Sequence, residues 1–311
     1  MKRTILAMLL LAVFPLLAES VLRSGRSECV IATHEGARIT SWKVNGEELL
    51  WMPSVPQKDG GKWRHGGIPL VWPWVGSEYP DGVTNGPLHG VAWQRPFKIE
   101  KRRKIPSGEA IDLSIEACEL RGDYTIAINY CSLRFSFRTT NVSTEPRKYA
   151  MAIHPYFRLP ERDFAVVEGL DGLRYRDTRE EYSTNGVWKG LLPITNWTDH
   201  VFYRKGEPLF AEIRDVRLDR MNWLGFPPKD PKPKLTSIII VRSAEAASFC
   251  VWNPGEEWAT KGAPLFGELE ENAWRHILSV EPCSPDIGDM KPLQPGESRV
   301  LTAEFSRAYS L

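Results

Sequence analysis

Residues 110–140 read AIDLSIEACELRGDYTIAINYCSLRFSFRTT. Apolar and polar residues alternate through most of this stretch, and a period of two is the mark of a strand with one face buried. Isoleucine, threonine, tyrosine and phenylalanine dominate, all side chains that suit a pleated surface. Gly122-Asp123 is the predicted turn between two strands. The pattern recurs on both sides. CVIATHEGARITSWKVNGEELLWM, residues 29–52, breaks into short runs at Glu-Gly and Asn-Gly. Asn45-Gly46 is a hairpin signal, because a type I′ turn needs positive φ at both centres. TSIIIVRSAEAASFCVWNP and ESRVLTAEFS supply further strands near the C-terminus. No long segment shows clean 3.6-residue periodicity. Twenty-four glycines and twenty-four prolines fit many turns and few helices. The predicted fold class is all-β, an antiparallel sandwich. Two stretches lie outside the strand pattern: residues 51–97, rich in Gly, Pro and Trp, and the proline–lysine loop GFPPKDPKPKL at 225–235.

A formal net charge of +1 over 311 residues gives no reason to expect nucleic acid or an anionic membrane as partner. Twelve tryptophans are many. Part of that excess belongs to the core, and flat faces suit sugar rings. The N-terminus, MKRTILAMLLLAVFPLLAES, pairs Lys2 and Arg3 with an apolar run to Ala18 and a small-x-small site at Ala18-Glu19-Ser20. It reads as a secretory signal peptide over residues 1–20, with a single domain over 21–311 and an exported, periplasmic or secreted product. No later stretch is long and apolar enough to span a membrane. Export permits disulfides among Cys29, Cys118, Cys131, Cys250 and Cys283, but a domain this large does not need them. No cysteine–histidine set has zinc-ligand spacing, so no metal is assigned. Asn141-Val-Ser and Asn196-Trp-Thr fit the glycosylation acceptor pattern.

Six histidines are few enough to weigh singly. His154, in AMAIHPYFRLP, ends an apolar run before a proline; it reads as a core residue, a metal ligand or an acid–base group. Glu281, in RHILSVEPCS, repeats the pattern of strand, ionisable residue and proline. A partly desolvated carboxylate there has its pKa raised toward the range of a useful base; the plain alternative is a strand-end glutamate facing water. His65 and His89 sit beside glycines in the irregular stretch, either filling turns or lining a site. Asp199, in NWTDHVFY, caps a turn or accepts hydrogen bonds from sugar hydroxyls.

Taken together, GGIPLVWPWVG (66–76), LHGVAWQRPF (88–97), HPYFRL (154–159), TDHVFY (198–203), VWNPG (251–255) and SVEPCS (279–284) resemble the aldose 1-epimerase, or galactose mutarotase-like, superfamily. The nearest branch is the hexose-6-phosphate mutarotases, also called glucose-6-phosphate 1-epimerases. The resemblance implies an antiparallel β-supersandwich with a sugar in a cleft on one concave face. It makes His154 the general acid toward the ring oxygen and Glu281 the base toward the anomeric hydroxyl. It assigns Asp199 to substrate hydroxyls and His89 to the site wall. Ring opening of this kind needs no metal, nucleotide or other cofactor. Two departures stand out. The arginine that branch carries before GGIP is His65 here, with Arg64 one residue earlier. The arginine that follows HG-x-A is Trp93, with Arg95 two residues on. An arginine fork is hard to replace as a phosphate grip. The expected partner is therefore a neutral aldose or the reducing end of an oligosaccharide, with Trp93 stacking on its ring. Arg64 and Arg95 would restore the charge only if the loops shift by one residue. The rivals are a non-catalytic carbohydrate-binding protein on the same fold and a lyase or hydrolase. A glycosidase needs a carboxylate pair, of which only Glu281 is evident.

Overall fold

The computed structural model describes residues 19–54, 63–80, 83–178, 185–195, 197–216, 236–260, 269–284 and 292–308. The apolar leader, the 225–235 loop and Asn196 lie outside the described residues. Three antiparallel sheets account for the architecture. Four strands, Glu19–Ser24, Ser27–Ala32, Arg38–Val44 and Glu47–Glu48, form a meander. Asn45 and Gly46, with φ of 53° and 85°, join its last two strands as the Asn-Gly signal predicts. The boundary expected after Ser20 falls inside the first strand, where Glu19 and Ser20 pair with Ala32 and Ile31.

The largest sheet holds nine strands, and its middle runs Ser298–Arg307, Ser132–Asn141, Leu120–Asn129, Gly108–Ala117, Lys98–Ile105. Leu120–Asn129 alternates buried and half-buried side chains without a break, so the period-two reading holds. The turn reading does not. Gly122 and Asp123 lie inside that strand, opposite Ile115 and Ser114. The chain reverses at Cys118 and Glu119, both at positive φ (54° and 59°). Gly122 serves packing instead: a Cβ there would lie 2.4 Å from the Phe137 ring. A second reversal, at Tyr130-Cys131, divides what reads as one alternating run.

The sheet that carries the site runs Asn185–Val187, Arg174–Asp177, Thr198–Tyr203, Ser248–Asn253, Ile277–Cys283, Ala152–Ile153, Leu70–Val71. Phe157–Arg158 also pairs with Ile277–Cys283. One buried cluster joins all three sheets, from Leu22, Ile31 and Trp42 through Phe135, Phe137 and Phe305 to Phe202, Phe249 and Val280. Burying large aromatic and aliphatic side chains, each worth roughly 1.5–3 kcal/mol, is what holds the layers together. Every residue of Ile277–Cys283 is buried. Its second face is covered by the Gly/Pro/Trp-rich segment, which forms little strand beyond Leu70–Val71. None of the five cysteines is in a disulfide. Asn141 is fully buried, and its amide donates to the carbonyls of Glu145 and Leu293. It is a packing residue rather than an exposed acceptor. No helix among the described residues is long and apolar enough to cross a membrane.

Candidate active site

The register of the site sheet decides which side chains meet. Directly opposed residues in an antiparallel sheet share a face. Glu281 opposes Cys250, Cys250 opposes Val201, and Val201 opposes Arg176. Ser279, Trp252 and Asp199 form a parallel row two residues away. The opposite face carries Val280, Val251 and Phe202 into the core. One face thus presents Ser279, Glu281, Cys250, Trp252 and Asp199 together.

His154 falls opposite Glu281 on this face, at a break in the sheet that leaves the register unshifted. Ala152 pairs with Cys283, and Phe157 with Leu278. Between them His154, Pro155 and Tyr156 leave the ladder, as the proline requires. The His154 N–H goes instead to the Pro69 carbonyl at 3.1 Å. The gap lies beside Ser279–Pro282, so the missing N–H of Pro282 breaks no bond on that side. Glu281 is therefore not a strand-end residue, contrary to the sequence expectation. Its strand continues to Cys283, and the neighbouring strand supplies the opening.

Nε2 of His154 lies 3.3 Å from Oε1 of Glu281, with the two side chains 6% and 4% exposed. Nδ1 of His154 lies 3.2 Å from the Ser279 hydroxyl. The imidazole stacks on Tyr156 at 4.7 Å and 10°. Burial pushes the His154 pKa well below its ordinary value, and the His89 and His65 imidazoles add to the effect. Burial likewise pushes Glu281 well above the carboxylate range, with the Asp199 charge second and the Ser279 hydroxyl opposing. The pair attract each other across 3.3 Å, and burial of both outweighs that attraction. A near-neutral imidazole beside a carboxylate of raised basicity can take and return protons near pH 7.

His89 closes one side. It sits at φ 62° before Gly90, and its ring lies 4.6 Å from Trp63 and 5.8 Å from His154. Its Nδ1 accepts the Gly76 N–H at 3.0 Å, which leaves the proton on Nε2. Burial, then the nearby His65, push its pKa down to about 3. His65 is buried, with Nδ1 3.0 Å from the Tyr156 hydroxyl. That hydroxyl accepts the Trp63 indole N–H at 2.8 Å. Asp199 is half-buried, and the Cys250 thiol approaches its carboxylate at 3.8 Å.

Of the residues singled out from sequence, His154, Glu281, Asp199, His89 and His65 converge here. Three others do not take the expected places. Trp93 is 5% exposed, donates its indole N–H to the Leu88 carbonyl and meets Trp63 edge-on at 5.3 Å. Its faces are covered, so it offers no stacking platform. Arg64 is bound to Glu35 at 2.5 Å, and Glu35 also holds Arg38 at 2.9 Å. Arg95 is exposed and lines a groove with Lys98, Glu100 and Arg121, on the outside of the nine-stranded sheet. Sequence reasoning missed Trp252, which is half-buried, opposite Asp199, and stacked parallel to His65 at 6.3 Å. It also missed Tyr156, Ser279 and Arg176. The first three lie within VWNPG, HPYFRL and SVEPCS, where position in the motif was the available signal. Arg176 lies in no motif, and only strand pairing brings it to this face. Among the described residues no group of three His, Cys, Asp or Glu side chains is placed to hold a metal ion.

An antiparallel supersandwich with a histidine–carboxylate pair buried on one sheet face defines the galactose mutarotase-like class. Residues 20–306 match the aldose 1-epimerase family, to which the chain belongs, and it is an isomerase. Two similar proteins carry the name "Putative glucose-6-phosphate 1-epimerase". That of Escherichia coli K12 is 25% identical over 263 residues, covering 79% of this chain and 76% of its own. That of Cenchrus ciliaris is 28% identical over 307 residues, covering 90% and 82%. A solved "putative mutarotase" from Salmonella typhimurium superposes with a TM-score of 0.70 at 18% identity, over 93% of this chain and 90% of that one, and supports the fold.

Proposed function

We propose that the enzyme interconverts the α and β anomers of a neutral aldose, or of the reducing end of an oligosaccharide, by opening the ring. Glu281 takes the proton from the anomeric hydroxyl while His154 Nε2 gives one to the ring oxygen. Reclosure after rotation of the aldehyde reverses both transfers. Asp199 accepts hydrogen bonds from hydroxyls further round the ring, and the half-exposed Trp252 offers the apolar surface that Trp93 does not. The observation that carries the reading is the buried 3.3 Å contact between Nε2 and Oε1. A hydroxyl and a ring oxygen on one carbon can each reach one member of such a pair from alongside it. Each positioned acid or base is worth on the order of 10²–10⁴-fold in rate.

Support for an uncharged substrate comes from the charge inventory. His89 is held uncharged, Arg64 and Arg38 are both tied to Glu35, and Arg95 faces elsewhere. One observation favours a second reading, an anionic sugar such as a hexose 6-phosphate. Arg176 shares the cross-strand row of Glu281, three strand spacings or about 14 Å away. The similar proteins named for glucose 6-phosphate lean the same way. Anomer exchange measured by NMR on glucose, galactose and glucose 6-phosphate separates the readings. If no sugar equilibrates faster with the wild type than with Glu281→Gln, the enzymatic proposal falls. If glucose 6-phosphate has the highest kcat/KM, the neutral-sugar reading falls.

Export is part of the same proposal. Cleavage after Ser20, the expected boundary, would leave the chain starting at Val21 and remove Glu19 and Ser20 from the opening strand. N-terminal sequencing of the mature protein tests this, and an intact Met1 in the recovered product would refute it.

A further inference from the structure

The acid–base scheme contains a proton problem. A neutral imidazole that gives up its Nε2 proton without gaining another becomes an anion, which is far too costly in a buried site. Supplying an imidazolium instead works against the burial that pushes His154 toward its uncharged form. The geometry contains a way out. The Ser279 hydroxyl is 3.2 Å from Nδ1, the ring nitrogen that does not face Glu281. Ser279 and Glu281 are two residues apart on one strand, so their side chains leave the same face. The hydroxyl contacts His154 Nδ1 and also hydrogen-bonds toward the Glu281 carboxyl, where it opposes the effect of burial. Ser279 is fully buried, which keeps bulk water from replacing it.

We infer that Ser279 completes a proton circuit in which its hydroxyl carries a proton from the Glu281 carboxyl to Nδ1 of His154. The inference rests on the anomer-interconverting reading above. In ring opening the anomeric O–H bond breaks and its proton joins Glu281. The C1–O5 bond breaks as the C1 carbonyl forms. O5 takes the proton from Nε2. Nδ1 takes the Ser279 hydroxyl proton, and Ser279 regains one from the Glu281 carboxyl. The net change in the sugar is transfer of one proton from O1 to O5. The enzyme keeps its proton count, with the histidine tautomer inverted. Closure after rotation runs the circuit backward and restores the tautomer. No step places a charge on the imidazole. Ser279 touches neither O1 nor O5; it acts through its two neighbours as a positioning and relay residue.

The test compares wild type, Ser279→Ala, Ser279→Thr and Glu281→Gln by anomer exchange from pH 5 to 9. For the wild type, activity rises with pH as Glu281 ionises and then stays level. Without the hydroxyl only the imidazolium can serve as acid, so the Ser279→Ala profile becomes a bell that falls about tenfold per pH unit on its alkaline side. Its peak kcat drops on the order of 10²-fold, while KM changes little. Ser279→Thr keeps a hydroxyl and restores the level alkaline limb. A solvent proton inventory curves more strongly for the wild type, where four protons move together, than for Ser279→Ala, where two do. A Ser279→Ala enzyme with the wild-type profile shape overturns the relay, whatever its kcat. So does an equal loss in Ala and Thr variants with no change in shape, which marks a packing role alone. If the wild type accelerates no sugar beyond Glu281→Gln, the underlying reading falls first, and the relay with it.

Discussion

Gly90→Ala isolates the backbone contact that places His89. Gly90 has φ +80° and forms a bridge with Trp72. A Cβ at position 90 would lie 2.1 Å from the Trp72 carbonyl oxygen and 2.3 Å from its carbon. That oxygen accepts two backbone N–H groups, from Val91 at 2.9 Å and Ala92 at 3.1 Å. The clash forces the strands apart at this point, so both bonds go. The left-handed φ alone costs alanine roughly 1 kcal/mol. Each lost bond adds about 1 kcal/mol, and leaving the buried carbonyl without a donor adds about 1–2 kcal/mol more. The sum is about 4–5 kcal/mol, a large part of the roughly 5–15 kcal/mol that holds a domain folded. Gly46→Ala is the control. Its φ is +85°, and nothing lies within 4 Å of the added methyl group, so it bears only the roughly 1 kcal/mol backbone term. Urea unfolding of both variants gives the difference directly if the slopes agree. A gap of less than about 1 kcal/mol between them would refute the close-approach reasoning, because the two share a φ but not a neighbour.

Three shorter predictions follow from the electrostatics and the buried polar groups. Asp199→Asn removes a charge that raises the Glu281 pKa, so the acid limb of the rate profile moves to lower pH while KM for sugar rises; a limb that stays put or moves up refutes the coupling. His89 is held neutral to about pH 3, whereas the unfolded chain protonates it near its ordinary value of 6.5, so it contributes stability above pH 6.5 that is lost as pH falls toward 3. Between pH 7 and 4.5 the wild type should lose about 1–2 kcal/mol more than His89→Gln, allowing for the ring's partial exposure, and equal losses by urea titration would sink this. Asn141→Ala removes the amide donor from the Glu145 and Leu293 carbonyls, which keep the Ser143 hydroxyl and the Arg147 N–H, and should cost about 1–3 kcal/mol; a change under about 0.5 kcal/mol would show that those donors suffice.

The strands were legible because their signal is local. Alternation along Leu120–Asn129 follows from one buried face, and Asn45-Gly46 needs only its own backbone angles. Gly122 misled for an equally physical reason. A glycine signals a turn when read alone, but this one makes room for Phe137, which lies on the next strand. Trp93 misled likewise. Its motif position suggested an open aromatic face, and Trp63 and Leu88 cover it. The catalytic candidates were found through motif resemblance and the proline after each. Yet the two prolines do different work. Pro155 takes His154 out of the ladder, and Pro282 occupies the gap that departure leaves.

That gap also explains why a site lies at the centre of a sheet rather than at its edge. A continuous strand at 152–158 would keep pairing with Ile277–Cys283 and turn its side chains into the alternation of the sheet. The register is the same on both sides of the break, so His154 stands opposite Glu281 and Tyr156 opposite Ser279, with Tyr156 beneath the imidazole at 4.7 Å; the break frees their backbone from the ladder. The Tyr156 hydroxyl then reaches Trp63 and His65, so one departure from the ladder fixes rings on three sides of the pair. The wall so formed is aromatic, with the Arg38 guanidinium behind it on the His65 carbonyl at 3.4 Å, and it raises the basicity of Glu281 by excluding water. An arginine at position 65 would place a permanent positive charge against that wall and lower the Glu281 pKa. The histidine found there keeps the carboxylate basic.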